Sequence, residues 1–472
     1  MPDADQWYPL IFDRSDSSQR EQMDELMGTG QVIHVDDTIE AQIVDLIEAR
    51  HPSKRLEGEA LESQKMQVLN GRPRNRYGCW VYFPWNRRMV HLLPADAFSE
   101  IRADRNRNKI TAAEQVKLGR LKIALAGLSV GNAVATTIAL EGLCGELRLA
   151  DFDTLELSNM NRIRCGVHHI GLRKAVICAR QIFEQNPFAR LVLFTDGVTE
   201  ENIDDFVSGT DLVIDECDSL VIKVLLREEA KKRRIPVLME TSDRGLLDVE
   251  RFDLEPERPI LHGLLGSLTS SDVAKIPPQA RLGLILQIVG GTNLSPRALA
   301  SLLELGQSLR GLSQLGSDVT LGGATTAIAV RQIALGVPVA SGRAYIDVSQ
   351  KLKEMASPSA PPPPSAGAEH RFIRKVVEQA VMAPSRGNQQ PWKFVYDGDL
   401  QVFLTKEKTQ STGGDVAHKD ALLAIGALLE NVEIVADSLG KQAVFSMFPQ
   451  PSTPELVARV AFVEASQPSG LA

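Results

Sequence analysis

Cysteine is scarce in this chain of 472 residues, and the five present (Cys79, Cys144, Cys165, Cys178 and Cys217) are scattered and never spaced C-x-x-C. That excludes a disulfide scaffold and a zinc ribbon, and makes a reducing cytoplasm the expected setting. An excess of basic charge is missing as well. The net charge is −8, so neither nucleic acid nor a membrane surface is an expected partner. The amino terminus, Met1-Pro2-Asp3-Ala4-Asp5, lacks the basic and apolar parts of a secretory signal. No internal repeat is visible. Glycine (35) and proline (25) are near average, which excludes a fibrous or globally disordered chain. The one long uncharged run, Ile123 to Leu140, contains Gly127, Ser129, Gly131, Asn132, Thr136 and Thr137. It reads as a buried strand, turn and helix rather than a membrane span.

What is present is a length sufficient for about three domains at roughly 150 residues each. Ser357 to Ala368, rich in proline, alanine and serine, reads as an extended linker. A softer boundary falls near residue 104, beside the charged run Arg102 to Lys109. The expected organisation is an accessory region over 1–103, a central domain over 104–350, the linker over 357–368 and a last domain over 369–472.

Within the central domain the pattern predicts strands at 121–126, 146–151, 190–196, 211–216 and 236–241. Helices are predicted at 132–143, 172–185 and 220–234. Strands alternating with helices of this length mean βαβ units, and so an α/β, doubly wound, mostly parallel Rossmann-like sheet. The first βα turn, Ala126-Gly127-Leu128-Ser129-Val130-Gly131, sits where backbone N–H groups meet a phosphate at a helix N-terminus. The next strand ends at Asp151, the usual place of a ribose-binding acid. Taken that far, a dinucleotide enzyme fits as well.

Later residues redirect the reading. Asp151-Phe152-Asp153 leads into Ser158-Asn159-Met160-Asn161-Arg162, then Gly171-Leu172-Arg173-Lys174, then Asp215-Glu216-Cys217-Asp218-Ser219. Two cations, Arg162 and Lys174, and the Asn159 amide suit a triphosphate, and Asp218 suits Mg²⁺ held against it. This succession resembles the ThiF/MoeB/HesA adenylyltransferases, relatives of ubiquitin-activating enzymes, over residues 104–345. The resemblance implies MgATP-dependent adenylation of a carboxylate, typically the C-terminus of a ubiquitin-like or sulfur-carrier protein, with release of pyrophosphate. It implies a homodimer in which Arg107 or Arg105 reaches into the partner's site. By position it assigns the turn of Gly127 and Gly131 to the nucleotide, Asp151 to ribose, Asn159, Arg162 and Lys174 to phosphates, and Asp218, followed by Ser219, to the metal. Leu321-Gly322-Gly323-Ala324 and the helix after it match the family's closing segment. The chain departs from the pattern at Ala126 and Leu128, where glycines are usual, at Ser219 (usually Asn) and at Ile163 (usually Gln). Those departures keep a non-catalytic nucleotide-binding scaffold among the alternatives. Cys165, Cys217 and His262 read as structural, and His168-His169 lack a third metal ligand.

The flanks carry less. Tyr77, Trp80, Tyr82, Phe83 and Trp85 lie among Arg72, Arg74, Arg76, Arg87 and Arg88. They read as a hairpin, Cys79–Phe83 and Met89–Leu93, docking on the central domain. After the linker, Ala383-Pro384-Ser385-Arg386-Gly387-Asn388-Gln389-Gln390-Pro391-Trp392 resembles the A-P-S-x-x-N-x-Q-P-W segment of nitroreductases. That implies FMN approached by Ser385, Asn388 and Gln390, and an FMN-dependent oxidoreductase as the rival activity. The family's later phosphate-binding half is unmatched, so a partial α+β domain used for dimerisation is the expectation.

Overall fold

The structure of the protein, a computed structural model, describes residues 6–277, 280–355, 369–385, 388–405 and 415–464. The segment read as a linker lies outside the described residues. The chain forms two compact units, Met1–Glu354 and Met355–Ala472.

The first unit opens with β1 (Leu10–Phe12), α1 (Ser17–Gly28), β2 (His34–Asp37), α2 (Ile39–Arg50), α3 (Gly58–Leu69), β3 (Cys79–Phe83), β4 (Arg88–Leu92) and α4 (Ala95–Arg102). Its four strands make a sheet in the order β1-β3-β4-β2. The expected hairpin is β3–β4, with Cys79 opposite Leu92 and Phe83 opposite Arg88.

Then follow α5 (Ala112–Leu118), β5 (Lys122–Ala126), α6 (Gly131–Glu141), β6 (Glu146–Ala150), α7 (Lys174–Gln185), β7 (Leu191–Phe194), α8 (Ile203–Val207), β8 (Leu212–Asp215), α9 (Leu220–Arg233) and β9 (Val237–Thr241). The unit closes with β10 (Leu246–Glu250), α10 (Ser270–Lys275), α11 (Arg281–Val289), α12 (Pro296–Glu304), α13 (Gly316–Leu335), β11 (Gly342–Tyr345) and α14 (Val348–Lys353). The seven-stranded sheet runs β11-β10-β9-β8-β5-β6-β7. Strands β9, β8, β5, β6 and β7 are parallel, and β10 and β11 extend the sheet antiparallel.

Alternation along the strands explains the double winding. Ile123, Leu125, Leu147 and Leu149 face one side, where Val134 and Ile138 of α6, Cys178 of α7 and Val330 of α13 cover them. Ala124, Ala126, Val213 and Val237 face the other, beneath Phe206 of α8 and Leu226 of α9. A strand buried on both faces reads as a continuous apolar run. The uncharged stretch at 123–140 is therefore β5, a turn and most of α6. Among the described residues no helix is long and apolar enough to cross a membrane.

The amino-terminal sheet docks on α7. Trp85 Nε1 donates to Glu184 at 2.6 Å, and the Arg180 guanidinium lies 5.4 Å from the Trp85 ring centre. Phe98 meets Phe188 edge-on, and Trp7 stacks on Phe183. Aromatic bodies with a polar edge suit such a seam.

The second unit contains α15 (Glu369–Ala380), β12 (Trp392–Tyr396), β13 (Leu400–Leu404), α16 (Asp415–Ser438), β14 (Lys441–Met447) and β15 (Leu456–Glu464). Its antiparallel sheet runs β12-β13-β15-β14. Val376 of α15 and Leu428 of α16 join Val402 and Val460 of the sheet in one core.

Candidate functional site

The large sheet reverses its strand order beside β5: β6 and β7 lie on one side of it, β8 and β9 on the other. The carboxyl edge at such a switch point leaves a crevice, because the crossover helices depart to opposite faces. The turn after β5 lines it. Gly127 has φ +89°, and a Cβ there would meet the Glu216 carbonyl carbon at 2.5 Å and the Cys217 nitrogen at 2.7 Å. Only glycine allows the turn to lie against the β8–α9 loop. At Gly131 a Cβ would meet Leu125 Cδ2 at 2.7 Å. Leu128, where a glycine is usual, is fully buried in the core. Its side chain therefore does not fill the crevice.

Asp151 ties the turn to β6. Its Oδ2 accepts the Leu128 N–H at 2.7 Å and its Oδ1 the Asp153 N–H at 2.8 Å. Burial pushes its carboxyl above the usual carboxylate range, against the pull of those two donors and of Lys174. Lys174, at the start of α7, places Nζ 2.8 Å from Asp153 Oδ2. Asn159 Oδ1 accepts the Glu156 N–H at 3.0 Å, which fixes the loop after β6.

Arg162 spans the crevice. Its Nε donates to Ser129 Oγ at 3.1 Å, and its Nη1 donates to Asn161 Oδ1 at 2.9 Å and to the Ser158 carbonyl at 3.3 Å. Burial pulls this guanidinium below its ordinary value, opposed by the charge of Asp218. Asp218 is exposed and has no hydrogen-bond or ion-pair partner among the described residues. Ser219 caps α9, its Oγ accepting the Ile222 N–H at 3.4 Å. Thus Gly127, Gly131, Asp151, Asn159, Arg162, Lys174, Asp218 and Ser219 gather around one edge of the sheet.

Arg107 and Arg105 do not join them within one chain. Arg102 donates to the Ala139 and Leu140 carbonyls at the far end of α6, and Asn106 donates to the Glu141 carbonyl. That end of α6 lies at the amino edge of the sheet, opposite the crevice. Arg107 there pairs with Asp104 at 3.0 Å.

Below the crevice lies an ionic core. Arg227, fully buried, bonds Asp215 Oδ2 and Glu250 Oε2, each at 2.5 Å. Burial alone would raise Asp215, but Lys223 and Arg227 outweigh it and hold it at about 2. Cys217 donates its thiol to Asp215 at 2.9 Å. Burial, then the Asp215 charge, pushes that thiol well above the usual cysteine range, which opposes a nucleophilic role. Burial also raises Cys165. His262 Nε2 bonds Asp248 at 2.9 Å, and its Nδ1 lies 2.8 Å from Arg258 Nη2. Among the described residues no three His, Cys, Asp or Glu side chains cluster to hold a metal.

Sequence reasoning overlooked several contributors. Ser129 lies inside the quoted turn but shows its role only through Arg162. The segment before α13 closes on the same loop: Asn161 Nδ2 donates to the Gln314 carbonyl at 2.7 Å, and Arg310 pairs with Glu156 at 2.9 Å. Nothing in the spacing of these residues signals that contact. The antiparallel strands β10 and β11 were not anticipated either.

In the second unit, the Gln390 N–H donates to Ser385 Oγ at 3.0 Å and Gln390 Nε2 to the Val381 carbonyl at 3.4 Å. The Asn388 N–H donates to the Ser385 carbonyl at 2.9 Å. Arg386 and Gly387 lie outside the described residues. Ser385 and Gln390 thus spend hydrogen bonds on their own loop.

Fold and crevice together define a doubly wound α/β domain with its ligand edge at the switch point. Residues 103–306 match the ThiF family. It is 45% identical over 369 residues to an uncharacterized protein of Mycobacterium tuberculosis (strain CDC 1551 / Oshkosh), covering 76% of this chain and 51% of that protein. It is 26% identical over 200 residues to the molybdopterin-synthase adenylyltransferase of Haemophilus influenzae, covering 42% of this chain and 81% of that one. Its carboxyl-terminal part is similar to a Mycobacterium tuberculosis protein provisionally named NAD(P)H nitroreductase acg: 32% identical over 94 residues, 20% of this chain and 28% of that one. The chain spans about half the length of the first curated relatives it matches.

Proposed function

We propose that the crevice binds MgATP and adenylates a carboxylate, with the C-terminus of a ubiquitin-like or sulfur-carrier protein as the first candidate substrate. The observation that carries this reading is Arg162, fixed to the turn by Ser129 and facing an unpartnered Asp218. The chemistry asks for little else. A carboxylate oxygen bonds to the α-phosphorus, the bond to the bridging oxygen breaks, and its electron pair leaves with pyrophosphate. The barrier is repulsion between anions, which fixed cations lower. Arg162 and Lys174 would hold the phosphates, the amide of Asn159 would donate to them, and Asp151 would face the ribose while keeping the turn closed. Asp218 fits Mg²⁺, since a hard, exposed carboxylate beside phosphates is its usual protein ligand. When bound, the ion would add charge neutralisation. Arg107 or Arg105 would serve the site of a second subunit in a homodimer.

Pyrophosphate exchange into ATP, driven by candidate carboxylates, tests the reading directly. Arg162→Ala should lower the exchange rate roughly 100-fold, and Asp218→Ala should weaken MgATP binding. An Arg107→Ala chain mixed with an Asp218→Ala chain should regain part of the activity. A folded protein that neither binds MgATP nor exchanges pyrophosphate would instead be a scaffold.

A further inference from the structure

A cavity of about 330 Å³ opens at the amino edge of the large sheet, away from the crevice. It lies between α4, the carboxyl end of α6 and the start of β7. Packed interiors leave few voids much larger than a water molecule, and this volume falls among those of pockets that hold small organic molecules. Its inner wall is apolar. Leu147 and Ile182 are buried in the core, and the half-buried Leu191 and Phe188 extend the wall outward. Exposed Ser99 and Arg190 stand at the mouth.

Arg102, the last residue of α4, lines the same space. Its Nη1 donates to the Leu140 carbonyl at 3.1 Å, and its Nη2 to the Ala139 carbonyl. Its Nε has no acceptor among the described residues, and no carboxylate there pairs with the guanidinium. Burial pulls this guanidinium below its ordinary value, opposed only by the neighbouring Cys144 thiol. Burial in turn pushes that thiol up to about 12, so it stays neutral and supplies no counter-charge. The other charged side chains on the wall are engaged, Glu141 with Arg331 at 2.6 Å and Arg190 with Glu146 at 3.2 Å. Asn106 and Gln115 satisfy the Glu141 and Gly142 carbonyls, which completes the end of α6. What is left over is a positive charge beside an apolar wall.

We propose that this cavity is a binding site for a small organic acid, with its apolar body against Leu147, Ile182, Phe188 and Leu191 and its carboxylate on Arg102. A guanidinium drawn partly out of water without an acid carries a desolvation cost that a bound carboxylate offsets. The planar carboxylate also matches the fork of guanidinium N–H groups. The apolar body gains by leaving water for the wall. Because the cavity and the crevice occupy opposite edges of the sheet, this ligand is distinct from a carboxylate activated by ATP. The proposal stands without the adenylation reading.

The test is calorimetric titration of the full chain with octanoate and with phenylacetate, beside octanol and phenylethanol, which keep the apolar body and lose the charge. At least one acid should bind saturably, and its alcohol roughly tenfold more weakly. Arg102→Gln should weaken the acid roughly tenfold and change the alcohol less than about twofold. Arg102→Lys, which keeps the charge without the fork, should recover part of the loss. Arg102 also caps α6, so Ser99→Trp at the exposed mouth decides the matter if Arg102→Gln does not fold. It should block the acid and leave the melting temperature unchanged. Failure of a folded chain to bind either acid would overturn the proposal, as would acid binding that Ser99→Trp leaves intact. A change of oligomeric state in Ser99→Trp, read by sedimentation, would also overturn it, because a second copy of the chain would then cover the mouth.

Discussion

The crevice of the first unit and the Ser385–Gln390 loop of the second both look like sites in the sequence, but their polar side chains are used differently. In the crevice, bonds join separate elements: Arg162 to Ser129, Lys174 to Asp153, and Asp151 to the Leu128 N–H. In the loop, Ser385 and Gln390 bond within a few residues of each other. A local bond defines a turn, whereas a bond between distant segments holds a charge where chain entropy would otherwise scatter it. The difference suggests a simple criterion: a candidate site is strengthened when its polar groups are organised by long-range contacts and left open toward solvent, as Asp218 is.

Several experiments would break or sharpen that contrast. The largest stability effect is expected at Arg227. Arg227→Met leaves Glu250 buried without its cation and Asp215 with Lys223 alone, and should cost about 3–5 kcal/mol in denaturant unfolding. A near-neutral result would mean that water reaches those acids. Next comes the turn itself: Gly127→Ala should cost roughly 2–4 kcal/mol through the positive φ and the clash with Glu216. It should also weaken MgATP binding beyond what the stability loss explains. An equal loss in a nucleotide-independent readout alone would remove the turn from the site.

The pH dependence of unfolding supplies a third comparison. Glu240 holds its proton more tightly folded than unfolded. Its contribution is therefore whole below the ordinary value of 4.5 and is lost as pH rises through about 8. The parent chain should lose melting temperature over that window, and Glu240→Gln should lose less. Identical curves would mean that Glu240 is not protonated at neutral pH. The smallest effect separates the two loops. Ser129→Ala should weaken MgATP binding severalfold with little change in stability. Ser385→Ala should cost about 0.5–1.5 kcal/mol of stability in its own unit and leave MgATP binding alone. Exchanged outcomes would reverse the assignment of the two regions.

Much of the doubly wound unit was legible without coordinates. Strand alternation placed β5, β6, β8 and β9 to within a residue or two, because faces covered by helices on both sides demand continuous apolar runs. The residues gathered at the crevice were also legible, since they lie in the turns and loops between β5, β6 and β8 and the helices that follow them, and doubly wound topology brings those segments to one edge. Gly127 was noticed for its freedom near phosphate. Its closest neighbours are instead the main-chain atoms of Glu216 and Cys217, which no local pattern reveals. The same holds for Gly322 and Gly323, motif residues in sequence and packing solutions in space.

Sequence alone therefore determined the α/β class, the order of the parallel strands' segments and the list of charged residues at their ends, because these follow from periodicity and chain connectivity. Only the tertiary structure decided that Arg162 leans on Ser129, that Arg107 stands at the opposite edge from its own crevice, and that the Glu240 carboxyl is buried with no hydrogen-bond partner. Those outcomes depend on burial and on distances between segments far apart in the chain.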